Sequence, residues 1–127
     1  MPDRVTFEYA IIRVVPRVER EEFFNVGVIL FSKRKRFLGV KYDINETKLN
    51  AFCSELDLDT LNQYLSSWDM ICKGNPKGGA IAAFELSDRF RWLAATRSTV
   101  IQSSKTHPGL CTDPQKELDC IFEKYVL

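Results

Sequence analysis

Glu21-Glu22-Phe23-Phe24-Asn25-Val26-Gly27-Val28-Ile29-Leu30-Phe31 is an apolar run of aromatic and β-branched residues that reads as a core strand. An asparagine and a glycine interrupt it. A glycine inside a strand weakens it unless a bulge or a close backbone approach is needed there. A buried asparagine must find partners for both ends of its amide. The run therefore reads as a strand with a small polar device built into it.

The residues on either side extend this strand into a meander. Thr6 to Val18 is apolar on both alternating faces, with Tyr9, Ile11 and Val15 on one and Ala10, Ile12 and Val14 on the other. That pattern predicts a central strand covered on both sides. Pro16 limits pairing near its end, and Glu19-Arg20-Glu21-Glu22 makes a polar connection. After the second strand, Phe23 to Ser32, the basic turn Lys33-Arg34-Lys35-Arg36 returns the chain as a third strand, Phe37 to Tyr42. Short links between consecutive strands make an antiparallel arrangement the simplest one.

The period then changes. Asp43-Ile44-Asn45-Glu46 has capping-box spacing, which predicts a helix capped by Asp43 and carrying Leu49, Phe52, Cys53 and Leu56. A second helix from Asp57 or Asp59 shows the stripe Leu61, Leu65, Trp68 and Cys72, flanked by Tyr64 and Ile71. Gly74-Asn75-Pro76-Lys77-Gly78-Gly79 stops it as a flexible loop. Ser87 is a candidate cap for a helix through Phe90, Leu93 and Ala94. Ser98 to Ser103 is a short strand that adds to the meander, and His107-Pro108-Gly109 marks a turn. Asp113 before Pro114 caps a last helix with Leu118, Ile121, Phe122 and Tyr125 at core spacing. Strands followed by helices give an α+β fold: one domain over residues 1–127, with a three- to four-stranded mainly antiparallel sheet packed by helices.

Composition narrows the function. Lys and Arg total 18 against 17 acidic residues, so no overall field draws the chain to nucleic acid or to an anionic membrane. No apolar run reaches the roughly 18 residues of a membrane-spanning helix. Met1-Pro2-Asp3-Arg4 lacks the layout of a secretory signal, so the cytoplasm is the expected compartment. Cys53, Cys72, Cys111 and Cys120 form no C-x-x-C pair. Three of them fall on predicted helical stripes, as reduced core residues do. No metal or other cofactor is expected.

Candidate chemistry rests on few residues. Arg13 lies mid-strand, where a buried guanidinium calls for a partner, with Glu19, Glu21 and Glu22 nearest in sequence. With a glutamate and Asn25 it would form a polar cluster on one sheet face, able to orient a partner or an anionic ligand. The alternative is an arginine whose head reaches solvent. Arg97, Ser98, Thr99 and Gln102, with Ser103 and Ser104, supply donors that suit a phosphate or carboxylate. Ordinary strand and turn residues are the favoured reading of that segment. His107 is the single histidine, without a nucleophile elbow around it. Lys33–Arg36 would give salt-sensitive phosphate contacts, yet no aromatic platform is interleaved with it. The sequence carries no P-loop, dinucleotide-binding or H-E-x-x-H motif. These absences weigh against an enzyme.

Two segments resemble a family of short bacterial proteins known as domain of unknown function 3037. The first is Tyr9-Ala10-Ile11-Ile12-Arg13-Val14-Val15-Pro16, continuing into Glu22-Phe23-Phe24-Asn25-Val26-Gly27-Val28-Ile29-Leu30. The second is Arg97-Ser98-Thr99-Val100-Ile101-Gln102, then His107-Pro108-Gly109-Leu110 and Asp113-Pro114. The resemblance implies a small cytoplasmic protein without an assigned activity or catalytic residues. It also implies an accessory role beside kinase-like proteins of the HipA type, in the manner of a toxin–antitoxin pair. The leading expectation is a non-enzymatic interaction or regulatory module using Arg13, Glu22, Asn25, Arg97, Ser98, Thr99, Gln102 and His107. The alternative is a small-ligand or nucleotide-binding protein with hydrolase or transferase activity, which requires Arg13, Glu22, Asn25, Arg97 and His107 to converge on one pocket. A third reading, nucleic-acid binding through Lys33–Arg36, has the least support.

Overall fold

A computed structural model describes residues 4–52, 55–95 and 99–127. Its fold is α+β: an antiparallel sheet packed on both faces by helices. The strands are β1 (Val5–Val14), β2 (Phe24–Ser32), β3 (Phe37–Tyr42), β4 (Ile101–Ser103) and β5 (His107–Cys111). The helices are α1 (Glu46–Phe52), α2 (Leu58–Lys73), α3 (Leu86–Leu93) and α4 (Pro114–Tyr125).

β1 is the spine. One edge pairs with β2, which pairs in turn with β3. Its other edge takes β5 along Val5–Tyr9 and β4 along Ile12–Val14. Segments distant in sequence thus lie side by side, with Val5 opposite Cys111. β4 and β5 form in effect one strand with an extra residue at Ser104–Thr106, because two residues of β1, Ala10 and Ile11, face three. Ser104 keeps this break satisfied. Its amide donates to the Ile11 carbonyl, and its Oγ accepts from the Ile11 amide, both at 2.8 Å.

The expected turn at His107-Pro108-Gly109 is therefore a strand. Its proline and glycine do not bend the chain back: Pro108 sits on a sheet edge, where a missing N–H costs nothing. Gly109 lies under the Phe7 ring, and a Cβ there would stand 2.5 Å from the ring. Close approach, not a turn, accounts for that glycine.

Alternation along β1 builds two cores. Ala10, Ile12 and Val14 join Phe24, Val26, Ile29 and Phe31 of β2 beneath α1, α2 and α3, with Leu65, Trp68, Phe90 and Leu93 buried against them. Val5 and Phe7 join Val28, Leu30 and Cys111 beneath α4, through Leu118, Ile121, Phe122 and Val126.

Local signals set the helix ends. Asn45, not Asp43, accepts from the Lys48 amide and opens α1, because the Asp43 amide is held by the Val26 carbonyl as the sheet continues. Asp57 caps α2, and Gly74 ends it at φ 70°, donating to the Ile71 carbonyl while Asn75 donates to that of Met70. The loop that follows is short 3-10 turns over Pro76–Gly78 and Ala80–Ala83. α3 opens after Glu85, two residues before the expected cap Ser87, without a side-chain cap bond among the described residues. Asp113 accepts from Gln115 and Lys116 and opens α4 with Pro114 in its first turn.

Two expected core positions are exposed: Cys120 on α4 and Tyr125 at its end. α4 packs through Leu118, Ile121 and Phe122 of the expected stripe, with Val126 buried in place of Tyr125. Cys72 and Cys111 are free and buried, and Cys53 lies outside the described residues. Among the described residues no helix is long and apolar enough to cross a membrane.

Candidate functional site

The asparagine and glycine of β2 have separate tasks. Gly27 faces β3 so closely that a Cβ would lie 2.7 Å from the Lys41 carbonyl oxygen and 2.9 Å from the Tyr42 Cβ. One residue earlier the β1–β2 ladder slips. Ile12 stands opposite Gly27, but Arg13 stands opposite Asn25, which leaves Val26 as the extra residue of a bulge. The slip lets Val26 join the core under the helices while Asn25 turns to the α4 face.

There Asn25, Arg13 and Gln102 form a row across β2, β1 and β4, since Arg13 is opposite Asn25 on one side and Gln102 on the other. Directly opposed residues in an antiparallel sheet share a face. The Asn25 Nδ2 donates to the Tyr125 carbonyl at 3.1 Å, tying the end of α4 to the row. α4 lies over β2 and β3, so the C-terminal part of β1 and the row beside it stay partly open to solvent.

Among the described residues Arg13 has no carboxylate partner. Its guanidinium stacks over the Phe23 ring, 4.0 Å from the centroid, and its Nε has no hydrogen-bond partner among the described residues. Loss of solvation lowers the pKa of this arginine from its ordinary value. Phe23 itself is 44% exposed, and Tyr125 is 43% exposed. The glutamate expected beside Arg13 is elsewhere: Glu22 pairs with Arg20 and lines a separate cleft with Pro16, Arg17 and Ala51. The tight connection after Pro16, with Glu21 at φ 56°, turns Glu22 away from the row.

The second constellation is spent on the backbone. The Thr99 hydroxyl donates to the Ile101 carbonyl at 2.6 Å, and Gln102 Nε2 donates to the Thr99 carbonyl at 2.8 Å. Ser103 donates to the Ala94 carbonyl. Arg97 and Ser98 lie outside the described residues. His107 is on the same sheet face as Arg13 but packs against Tyr9 with the rings tilted, their centroids 5.3 Å apart. Arg13 lies four positions along β1 from Tyr9, about 13 Å along a strand. The Tyr9 phenol is pushed above its ordinary pKa, first by burial and then by Tyr125 and Glu117.

Three of the expected residues, Arg13, Asn25 and Gln102, thus come together, and Glu22 and His107 do not join them. Phe23 and Tyr125 complete the surface and were not anticipated in that role. The signal for Phe23 is its parity with Asn25, two residues on along β2. Among the described residues no group of three or more His, Cys, Asp and Glu side chains could hold a metal ion.

No curated protein and no solved structure matches the chain. The model of a family described as "Protein of unknown function (DUF3037)" matches residues 9–126, nearly the whole sequence and both segments that build the row.

Proposed function

Because the chain belongs to the DUF3037 family, whose description names no activity, we propose from the geometry of its sheet face that it is a non-enzymatic protein-interaction module. One observation carries the reading: an arginine stacked on a half-exposed phenylalanine, in line with two amides, on a part of the sheet that α4 leaves open. Arginine and large aromatics dominate the energetic centres of protein interfaces. Here they are also pre-ordered. Phe23 holds the guanidinium flat. A partner carboxylate reaching this fork would gain charge-assisted hydrogen bonds in a partly desolvated setting.

The partner is a protein presenting an acidic side chain beside an apolar contact for Phe23 and Tyr125. The resemblance to DUF3037 proteins favours a HipA-type kinase-like protein for that role, with this chain acting as its accessory in the cytoplasm. Co-expression with the HipA-type product of an adjacent gene, followed by affinity capture, tests the pairing. Stable association that falls at least tenfold in Arg13→Ala and Phe23→Ala variants is the expected result. A clean failure to associate at micromolar concentration removes the HipA-type partner.

A further inference from the structure

The two edges of this sheet are treated differently. The β4–β5 edge is blunted by the extra residue at Ser104–Thr106 and by Pro108, devices that stop another strand from adding. β3, the opposite edge, has neither. Phe37-Leu38-Gly39-Val40-Lys41-Tyr42 pairs residue for residue with β2, and five of the six are half-buried.

The direction of its free backbone groups can be read from one hydrogen bond. The Asp43 amide donates to the Val26 carbonyl at 2.7 Å, across the pair formed by Gly27 and Tyr42. In an antiparallel ladder this makes Lys41, Gly39 and Phe37 the residues that exchange bonds with β2. Leu38, Val40 and Tyr42 then turn their N–H and C=O groups outward. Three donors and three acceptors stand in a row along the edge.

Leu38 and Val40, with Phe37, Gly39 and Lys41, form the floor of a groove of about 380 Å³. One wall is α2, through Asp69, Cys72 and Lys73; the other is α4, through Gln115, Leu118 and Asp119. Each wall has its charges matched. Lys73 pairs with Asp69 at 2.8 Å, and Lys41 pairs with Asp119 at 3.1 Å.

We infer that this groove receives a single extended peptide segment from a partner protein, added to β3 as a further strand. The segment is uncharged, with apolar side chains at alternate positions. The walls argue for a lone strand over a second copy: the floors of two grooves cannot reach each other at the roughly 4.8 Å separation of paired strands. The matched ion pairs argue for a neutral segment, since a charged one would face no unpaired complement. Main-chain bonds to Leu38, Val40 and Tyr42 would supply affinity, and cross-strand packing of alternate side chains beside the half-buried Phe37 and Val40, on opposite faces of β3, the specificity. The inference stands apart from the sheet-face reading, since no residue of the Arg13 row lines this groove.

A displayed library of random dodecapeptides, selected on the immobilised full chain, tests it. Val40→Pro removes an outward N–H without touching the β2–β3 ladder, and Leu38→Pro does the same one pair away. The expected result is enrichment of uncharged peptides with alternating apolar residues. Synthetic copies should slow exchange of the Leu38, Val40 and Tyr42 amides at least tenfold and bind at least tenfold more weakly to either proline variant that retains the native circular dichroism. The Val40→Lys variant serves if neither proline variant folds. No enrichment, or enriched peptides indifferent to these changes, overturns the inference. So does a concentration-dependent dimer that protects the same amides without peptide, because the occupant is then a second copy.

Discussion

Arg13 and Phe23 meet 4.0 Å apart, guanidinium over ring, across a bulged pair of strands. The contact exists because the slip at Val26 brings Asn25 opposite Arg13 and places Phe23, two residues before it, on the same face. A guanidinium in the middle of a strand thus has an aromatic plane where a carboxylate would be expected. Replacing Phe23 by alanine should cost the fold only about 0.5–1 kcal/mol, the scale of an exposed cation–π contact. Urea denaturation measures this. A much larger loss would make Phe23 a core residue and weaken its assignment to a docking surface.

Gly27 is held against β3 by main-chain atoms that have no freedom to move aside. Gly27→Ala should therefore destabilise the chain by about 1–3 kcal/mol, the usual cost of overpacking. The denaturation midpoint should fall with an unchanged slope. Retention of full stability would show that β3 can shift outward, and the ladder geometry of the edge would need revision.

Ser104 supplies a side-chain oxygen where the interrupted ladder offers Ile11 no carbonyl. Ser104→Ala should leave that amide unpaired, at a cost of about 1–3 kcal/mol. Exchange of the Ile11 amide should quicken more than that of Ala10 or Ile12, and Ser104→Thr should restore it. Uniform exchange across all three would show that solvent already serves the break.

Cys72 lies buried on α2, and burial, with a smaller contribution from Asp69, pushes its thiol from 9.0 up to about 12. Below pH 9 both folded and unfolded chains keep this proton. Between pH 9 and 12 the unfolded chain gives it up first, so stability falls as pH rises through that window. Cys72→Val should flatten this part of the alkaline slope. Exposed Cys120 should react with a thiol reagent in the native protein long before Cys72 does.

Much of the scaffold was legible in the sequence because the meander and helices rest on local signals. Phe37–Tyr42 has the boundaries that its pattern suggests, and Asp113-Pro114 opens α4 as capping chemistry requires. The glycine in β2 announced both of its possible reasons, and both hold: a bulge beside it and a backbone against it. Long-range pairing was harder. His107-Pro108-Gly109 has turn composition, and only its place beside Val5–Tyr9, about a hundred residues away, makes it a strand. Nearness in sequence suggested Glu22 for Arg13, whereas the backbone between Pro16 and Phe24 turns Glu22 toward Arg20. The open β3 edge could not be read at all. It depends on which strands lack a second neighbour, and sequence periodicity does not carry that information.

The pairing of Val5–Val14 with residues from both 24–32 and 101–111 also sets the order in which the molecule can be completed. During translation the first strand can zip to the second almost at once. Its other flank must wait for nearly ninety more residues, on the order of ten seconds at typical ribosome speeds. For that interval a long apolar strand waits without its closing neighbour, with its main-chain groups open to nascent or neighbouring polypeptides. Chaperone demand should therefore be highest between completion of the second strand and synthesis of residues 101–111, and truncations before Ile101 should give aggregates in place of a smaller folded core.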